Sequence, residues 1–322
     1  MPPQRRCAFV GATRPGSLPP SGIGRRSLCT RRTLMVSSLT TPDLTLGAGY
    51  LSNGLRIRSD VVRKQAESGA IQSSSDLSTE HLAATEIAAS AGHMLLELRG
   101  GSGKTGDSLR NAGDLAAHAF ILKALSRRFP DDHVVSEEDE IRIGEPDCTR
   151  QWIVDPLDGT REFAESRKDW AVHVALAVER VAVVGAVALP AHNLTFSTAN
   201  PPPQPRIWTG PPRIVVSRTR PPECAVGLAR HLGGKLIEMG SAGAKAMTVV
   251  QGDAEIYVHS GGQYVWDSAA PGAVAAAAGL HVSRLDGSPL RYEVGDPWSP
   301  DLLICRRDLA STVITVCKEA TE

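Results

Sequence analysis

The chain has 322 residues, 42% of them hydrophobic, with 35 basic and 35 acidic side chains, a composition that allows one large core or two modest ones. The zero net charge hides an asymmetry: residues 1–75 carry 11 Lys+Arg against 3 Asp+Glu, a head of +8, and the remainder carries 24 against 32, a body of −8. An acidic body argues against a nucleic-acid polymer as partner, because that affinity rests on clustered Lys and Arg, and no apolar run reaches the length of a membrane span.

Residues 1–76 read as a basic, serine-rich extension. The pairs Arg5–Arg6, Arg25–Arg26 and Arg31–Arg32 resemble those of a transit peptide or a twin-arginine signal. Without a continuous apolar stretch, the segment reads instead as a disordered extension or the product of an upstream start codon. The expected location is cytoplasmic, with organelle targeting by the head as the alternative. Six scattered cysteines (Cys7, Cys29, Cys148, Cys224, Cys305, Cys317) without a C-x-x-C pair read as reduced thiols.

Order begins at DLSTEHLAATEIAASAGHMLLELR, where Ser78 can cap a helix bearing Leu82, Ile87, Met94, Leu95 and Leu98, stopped by Gly100–Gly101. A second helix is expected from Asp114 to Phe129, carrying Leu115, Phe120, Ile121 and Leu125 and ending before Pro130. Short β-branched runs follow at 133–136, 151–155, 170–178 and 181–189, the last two reading as a hairpin through Glu179–Arg180. The proline-rich NPPPQP at 200–205 divides an N-terminal α+β half, 77–199, from a C-terminal α/β half, 206–318. In the second half the strands RIVVS, KLIEM, EIYVH and LLICR alternate with helices near 222–231, 242–250, 267–278 and 307–318, the order of an α/β layered fold.

The glycine-rich GGSGKTG at 100–106 contains G-x-G-x-x-G, but it follows a helix and precedes polar GDSLRN rather than joining a strand to a helix. It also ends in G-K-T, yet Leu98 stands where a Walker A loop needs glycine. The stretch reads as a solvated linker.

WIVDPLDGTREF, Trp152 to Phe163, carries the chemistry. Asp-Pro and Asp-Gly are turn dipeptides, but here a strand delivers Asp155 at its carboxyl end, and Gly159–Thr160 can open a turn of outward N–H groups. A covalent aspartyl phosphatase needs its acid two residues after the nucleophile; that position is Leu157, and Asp158 comes one later. The spacing suits a hard divalent cation, with Asp155, the Leu157 carbonyl and Asp158 as oxygen ligands. Glu137, Glu138 and Asp267 offer further carboxylates.

SEED (136–139), DPLDGT (155–160), GSAGAK (240–245) and WDSAA (266–270) together resemble the inositol monophosphatase superfamily of Mg²⁺-dependent, lithium-sensitive phosphatases. DWAVHVAL, GGQYVWDSAAP and SRLDGSPLRY are similar to its CysQ-type 3′(2′),5′-bisphosphate nucleotidases, especially the actinobacterial kind, over about residues 77–318. The resemblance implies a layered αβαβα sandwich and hydrolysis of 3′-phosphoadenosine 5′-phosphate. It also implies the sulfated nucleotide as a second substrate, the setting of sulfur assimilation, with inositol-1-phosphate or fructose-1,6-bisphosphate as the alternatives. A metal-dependent binding protein is the non-enzymatic alternative, and a homodimer is compatible with the chain.

Two or three Mg²⁺ ions are implied. One lies between Glu137, Asp155 and the Leu157 carbonyl, and another between Asp155, Asp158 and Asp267. Asp114 and Thr160 match the pair that deprotonates and orients water, Gly159 and Thr160 the phosphate-binding amides, and Ser241 and Lys245 the leaving-group contacts. Arg220 stands at the histidine of the family's S-R-S-H, and His259 where some relatives carry arginine. Glu137, Leu157, Asp158 and Asp267 also touch substrate in this reading. DSLRNAGD departs from the family's D-S-P-V-T-x-A-D, with Leu109, Arg110 and Asn111 at proline, valine and threonine. His173, on an alternating strand, reads as a satisfied core histidine.

Overall fold

The computed structural model describes residues 76–138 and 148–319. The basic head up to Ser75, with Cys7 and Cys29, and Asp139 of SEED lie outside the described residues. The helices α1 (Ser78–Gly101) and α2 (Gly106–Arg128) precede the strands β1 (His133–Ser136) and β2 (Arg150–Asp158) and the short helix α3 (Thr160–Ala164). Then come β3 (Ala171–Val178), β4 (Val181–Leu189), β5 (Leu194–Ser197), β6 (Arg213–Ser217), α4 (Glu223–Leu232), β7 (Lys235–Met239) and α5 (Ala242–Val250). The chain closes with β8 (Ile256–Tyr264), α6 (Val265–Ala277), β9 (His281–Ser283), β10 (Trp298–Cys305) and α7 (Ala310–Glu319).

The strands form two five-stranded sheets, β1-β2-β3-β4-β5 and β7-β6-β8-β10-β9. Strand alternation divides their side chains among three apolar layers. Trp152 and Val154 of β2 face α1 and α2, whereas Ile153 faces the middle layer with α5 and α6. On β8 and β10, Tyr257, Leu302 and Ile304 meet that middle layer, and Ile256, Val258, Leu303 and Cys305 pack under α4 and α7. The layer order is therefore αβαβα. Gly185 of β4 permits the tight central packing, because a Cβ there would lie 2.8 Å from the Ala270 carbonyl of α6.

Three local expectations change. Ser78 is the first residue of α1 rather than its cap, and its backbone N–H donates to Asp76 at 3.0 Å. The buried face of α1 is mostly alanine, with Ile87 and Leu95, while Leu82 is exposed; small residues let the helix lie close on β3 and β4. The second helix begins at Gly106 instead of Asp114, burying Leu109, Gly113, Ala117, Ile121 and Leu125 and exposing Leu115. Leu109 explains the earlier start: its N–H donates to the Thr105 carbonyl at 3.4 Å, a bond that proline could not make. Asp114 thus sits inside the helix, where a capping role does not apply.

A carboxylate cleft at the end of β2

The carboxyl end of β2 does not alternate regularly. Asp155 pairs with His173 and Asp158 with Ala171, so one extra residue of β2 is accommodated between the two pairings. Such a bulge reverses the facing of the residues beyond it. Leu157 joins the α1/α2 layer, and Asp158 turns inward beside Asp155. Without the bulge, carboxylates three residues apart would point to opposite faces. Asp155 accepts from the Leu157 N–H at 3.1 Å, and Gly159, at φ +87°, turns the chain into α3.

α5 enters from the second half of the chain and grips Asp158. Ser241 Oγ donates at 2.5 Å, and the N–H groups of Ala242 and Gly243 donate at 3.1 and 2.7 Å. His173, fully buried, brings Nε2 to 3.2 Å from Asp158, at ion-pair distance but not aligned as a hydrogen bond; its Nδ1 lies 3.0 Å from the Trp266 carbonyl. The histidine is buried in the core, as expected, but it is not a satisfied one, because Nε2 makes no hydrogen bond among the described residues, and it ties Asp158 to the start of α6. Gly243 makes this approach feasible, since a Cβ there would fall 2.1 Å from His173 Nε2.

Asp267, in the first turn of α6, accepts from the Tyr264 N–H at 2.8 Å and caps the helix. Glu137 follows β1 at the rim, exposed as a residue but with its carboxyl turned in beside Asp155. Glu137, Asp158, Gly159, Thr160, Arg220, Ser241, Lys245 and Asp267 all line one cleft of about 650 Å³. Asp155 and Leu157 lie buried beneath it. Asp114 is not on the lining; it is half-buried, with Glu138 and Arg110 as its charged neighbours.

The electrostatics separate these acids. Burial, then the charges of Glu137, Asp158 and Asp267, raise the Asp155 carboxyl far above its ordinary range. Loss of hydration and then Asp267 push Glu137 up to about 7, and burial and then Asp158 push Asp267 to about 6. Burial followed by the charge of Glu138 lifts Asp114 to about 7. Burial alone would raise Asp158 too, but His173, Lys245 and the Ser241 hydroxyl outweigh it and hold the carboxyl well below its usual value. Among the described residues, His173 and Lys245 offset the rise of Asp267 only in part, and no basic side chain outweighs burial and the neighbouring carboxylates at Glu137 and Asp155. Oxygen donors with excess negative charge fit hard divalent ions, and the imidazole of His173 lies in the same cluster, its ligand atom and those of Asp155 and Asp158 within 4.8 Å of one another.

The leaving-group candidates differ in how free they are. Lys245 is buried and donates from Nζ to the carbonyls of Gly240 and Ser241 at 2.9 and 2.7 Å. It is not the exposed first-turn residue that a helix start alone would suggest. Ser241 spends its hydroxyl on Asp158 while accepting from the Ala244 N–H at 2.9 Å. Arg220 is exposed in the cleft. His259 is buried, with Nε2 3.0 Å from the Gly262 carbonyl. Sequence reasoning did not single out Gln263, Tyr264 and Trp298, which also line the cleft.

The inositol monophosphatase family model matches residues 76–204 and 212–320, every layer of the fold apart from a loop between the two sheets. The chain belongs to the inositol monophosphatase family. Within that family, it is 43% identical over 258 residues to the 3′-phosphoadenosine 5′-phosphate phosphatase of Mycobacterium leprae, covering 75% of this chain and 94% of the relative. It is 32% identical over 231 residues to the 3′(2′),5′-bisphosphate nucleotidase CysQ of Escherichia coli, covering 64% of this chain and 91% of that one. The fold is that of an inositol monophosphatase from Anabaena, with a TM-score of 0.64 at 23% identity over 76% of this chain and 97% of that structure. It is equally that of CysQ from Bacteroides thetaiotaomicron, with a TM-score of 0.63 at 24% identity over 72% and 98%. No helix among the described residues is long and apolar enough to cross a membrane.

Proposed function

We propose that this inositol monophosphatase family member is a Mg²⁺-dependent phosphomonoesterase that removes the 3′-phosphate of 3′-phosphoadenosine 5′-phosphate, giving AMP and inorganic phosphate. The reaction class is carried by one observation: Glu137, Asp158 and Asp267 line one cleft directly above the buried Asp155, and Glu137, Asp155 and Asp267 are raised first by burial and then by neighbouring carboxylates. The nucleotide comes from the mycobacterial relatives, and a cleft of about 650 Å³ lies within the range of small-molecule sites. The sulfated nucleotide, which keeps the 3′-phosphate, is the second substrate, and sulfur assimilation is the corresponding setting.

Glu137, Asp155, the Leu157 carbonyl, Asp158 and Asp267 would hold two or three ions, which would supply Lewis acidity at the phosphate and ease deprotonation of the attacking water. Thr160 orients the attacking water, and Asp114, near the pKa of an effective general base, takes its proton. The N–H groups of Gly159 and Thr160 hold phosphate oxygens. Arg220 offers an exposed guanidinium to the second phosphate. Lys245 adds positive potential to the cleft wall while its ammonium secures the Gly240–Ser241 turn. Ser241 works through Asp158.

Phosphate release, measured as kcat/KM with Mg²⁺, tests the reading on four compounds: the nucleotide, its sulfated form, inositol-1-phosphate and fructose-1,6-bisphosphate. The nucleotide is expected to lead, and chelation to abolish turnover. Preference for either sugar phosphate overturns the substrate, and no release from any compound overturns the enzyme.

A further inference from the structure

Part of the cleft wall is not explained by phosphate chemistry. Gly261 and Gly262, at φ +89° and +93°, bend the end of β8, and Trp298 of β10 pairs with Tyr264 across the antiparallel ladder. The indole lies against bare backbone, since a Cβ on Gly262 would fall 1.9 Å from a ring carbon. Tyr264 stacks on Trp266 with centroids 4.7 Å apart and planes at 15°, and meets Trp298 edge-on at 5.9 Å. Trp298 is 52% exposed and Tyr264 42% exposed, both on the cleft lining. Gln263, which precedes Tyr264 on β8, pairs with Ser299 and also lines the cleft, is 6% exposed, and its buried Nε2 has no hydrogen-bond partner among the described residues.

An isolated exposed aromatic is unremarkable on a protein surface. An aromatic array lining the same cleft as an unpartnered buried amide is different, because an orphaned donor is costly unless a ligand satisfies it. A sugar phosphate has no π face to lay on the indole. A flat heteroaromatic base has one, and its ring nitrogens accept hydrogen bonds.

We infer that Gln263 and Trp298 form the subsite for the base of the leaving nucleotide, with the base stacked on the indole and Gln263 Nε2 donating to a base acceptor. Two half-exposed rings suit this task, since stacking needs one free face and no reorganisation. The inference rests on the nucleotidase reading for the identity of the ligand. It deepens that reading by separating recognition of the base from the metal chemistry.

The test is equilibrium binding of AMP and of ribose 5-phosphate to the full chain by calorimetry, read as the ratio of the two Kd values. The wild type is expected to prefer AMP. Trp298→Ala should shrink the ratio by roughly 5- to 150-fold, the range of base–aromatic stacking, Trp298→Phe should keep most of it, and Gln263→Leu should shrink it by less. Equal Kd values in the wild type overturn the subsite, as does a Trp298→Ala variant that weakens both ligands by one factor. Should that variant fail to fold, Gln263→Leu carries the same comparison, and an unchanged ratio there overturns the assignment. If AMP is preferred but no phosphate is released from the 3′,5′-bisphosphate, the base subsite stands and the nucleotidase reading falls. Turnover of the bisphosphate with equal Kd values leaves the nucleotidase reading standing and removes the base subsite.

Discussion

Ser241 donates its hydroxyl to Asp158 at 2.5 Å, joining the N-cap of α5 to the end of β2 across 83 residues of chain. Removing a charge-assisted donor of this kind costs ~1.5–3 kcal/mol. Ser241→Ala should lower kcat/KM by about 10- to 150-fold, and raise the Mg²⁺ concentration needed for half-maximal rate, because Asp158 is a proposed metal ligand. The penalty should be the same for the nucleotide and for inositol-1-phosphate. A penalty confined to the nucleotide would assign the hydroxyl to the leaving group instead.

Gly243→Ala tests the contact beneath that bond. Its methyl would have to occupy a point 2.1 Å from His173 Nε2, so either the ring or the α5 turn must move away from Asp158. Overpacking of this sort costs ~1–3 kcal/mol, which for a domain of this size lowers Tm by about 2–10 °C. Activity should fall together with Tm. A variant that melts and turns over like the wild type would show that α5 does not lean on His173.

Asp155→Asn should separate stability from activity. It removes the fully buried member of the crowded acids, so turnover should drop by at least ~10²–10³. The metal-free protein should melt no lower than the wild type, because repulsion from Glu137, Asp158 and Asp267 is relieved. Near-normal turnover with intact Mg²⁺ dependence is the result that sinks the metal assignment.

The same crowding makes stability depend on pH in a definite direction. Glu137 and Asp267 rise from ordinary values of 4.5 and 3.8 to about 7 and 6. Between about pH 4 and 7 they therefore hold more protons in the folded chain than in the unfolded one, and their contribution to stability is lost as pH rises through that window. In chelator, Tm should fall from pH 5 to pH 8 more steeply for the wild type than for Glu137→Gln. Mg²⁺, which binds the folded state, should flatten the slope. Identical slopes in chelator would show that these acids do not titrate as a crowded set.

Much of the candidate site was legible from sequence, because its side-chain chemistry is written in short stretches. An apolar run ending in Asp155, with Asp158 three residues later, excludes the covalent scheme and offers oxygen ligands without reference to any distant residue. Asp267 at a helix start and the order of the principal strands are equally local, set by turn residues and by alternation. Features that depended on packing were not legible. The four residues of β5 and three of β9 are too short to carry a period, and whether Leu82 and Leu115 faced core or solvent depended on which helix faces met a sheet. Unbroken alternation would have sent Asp155 and Asp158 to opposite faces, and only pairing with β3 creates the bulge that turns both inward. The grip of Ser241, Gly243 and His173 on Asp158 exists because α5 is packed between two sheets. Composition and spacing determined which groups were available to bind metal and phosphate, since that chemistry belongs to the side chains themselves. Tertiary structure decided which of them are crowded, neutralised or left open to a ligand, because burial and charge–charge energies depend on distances that close only when remote segments meet.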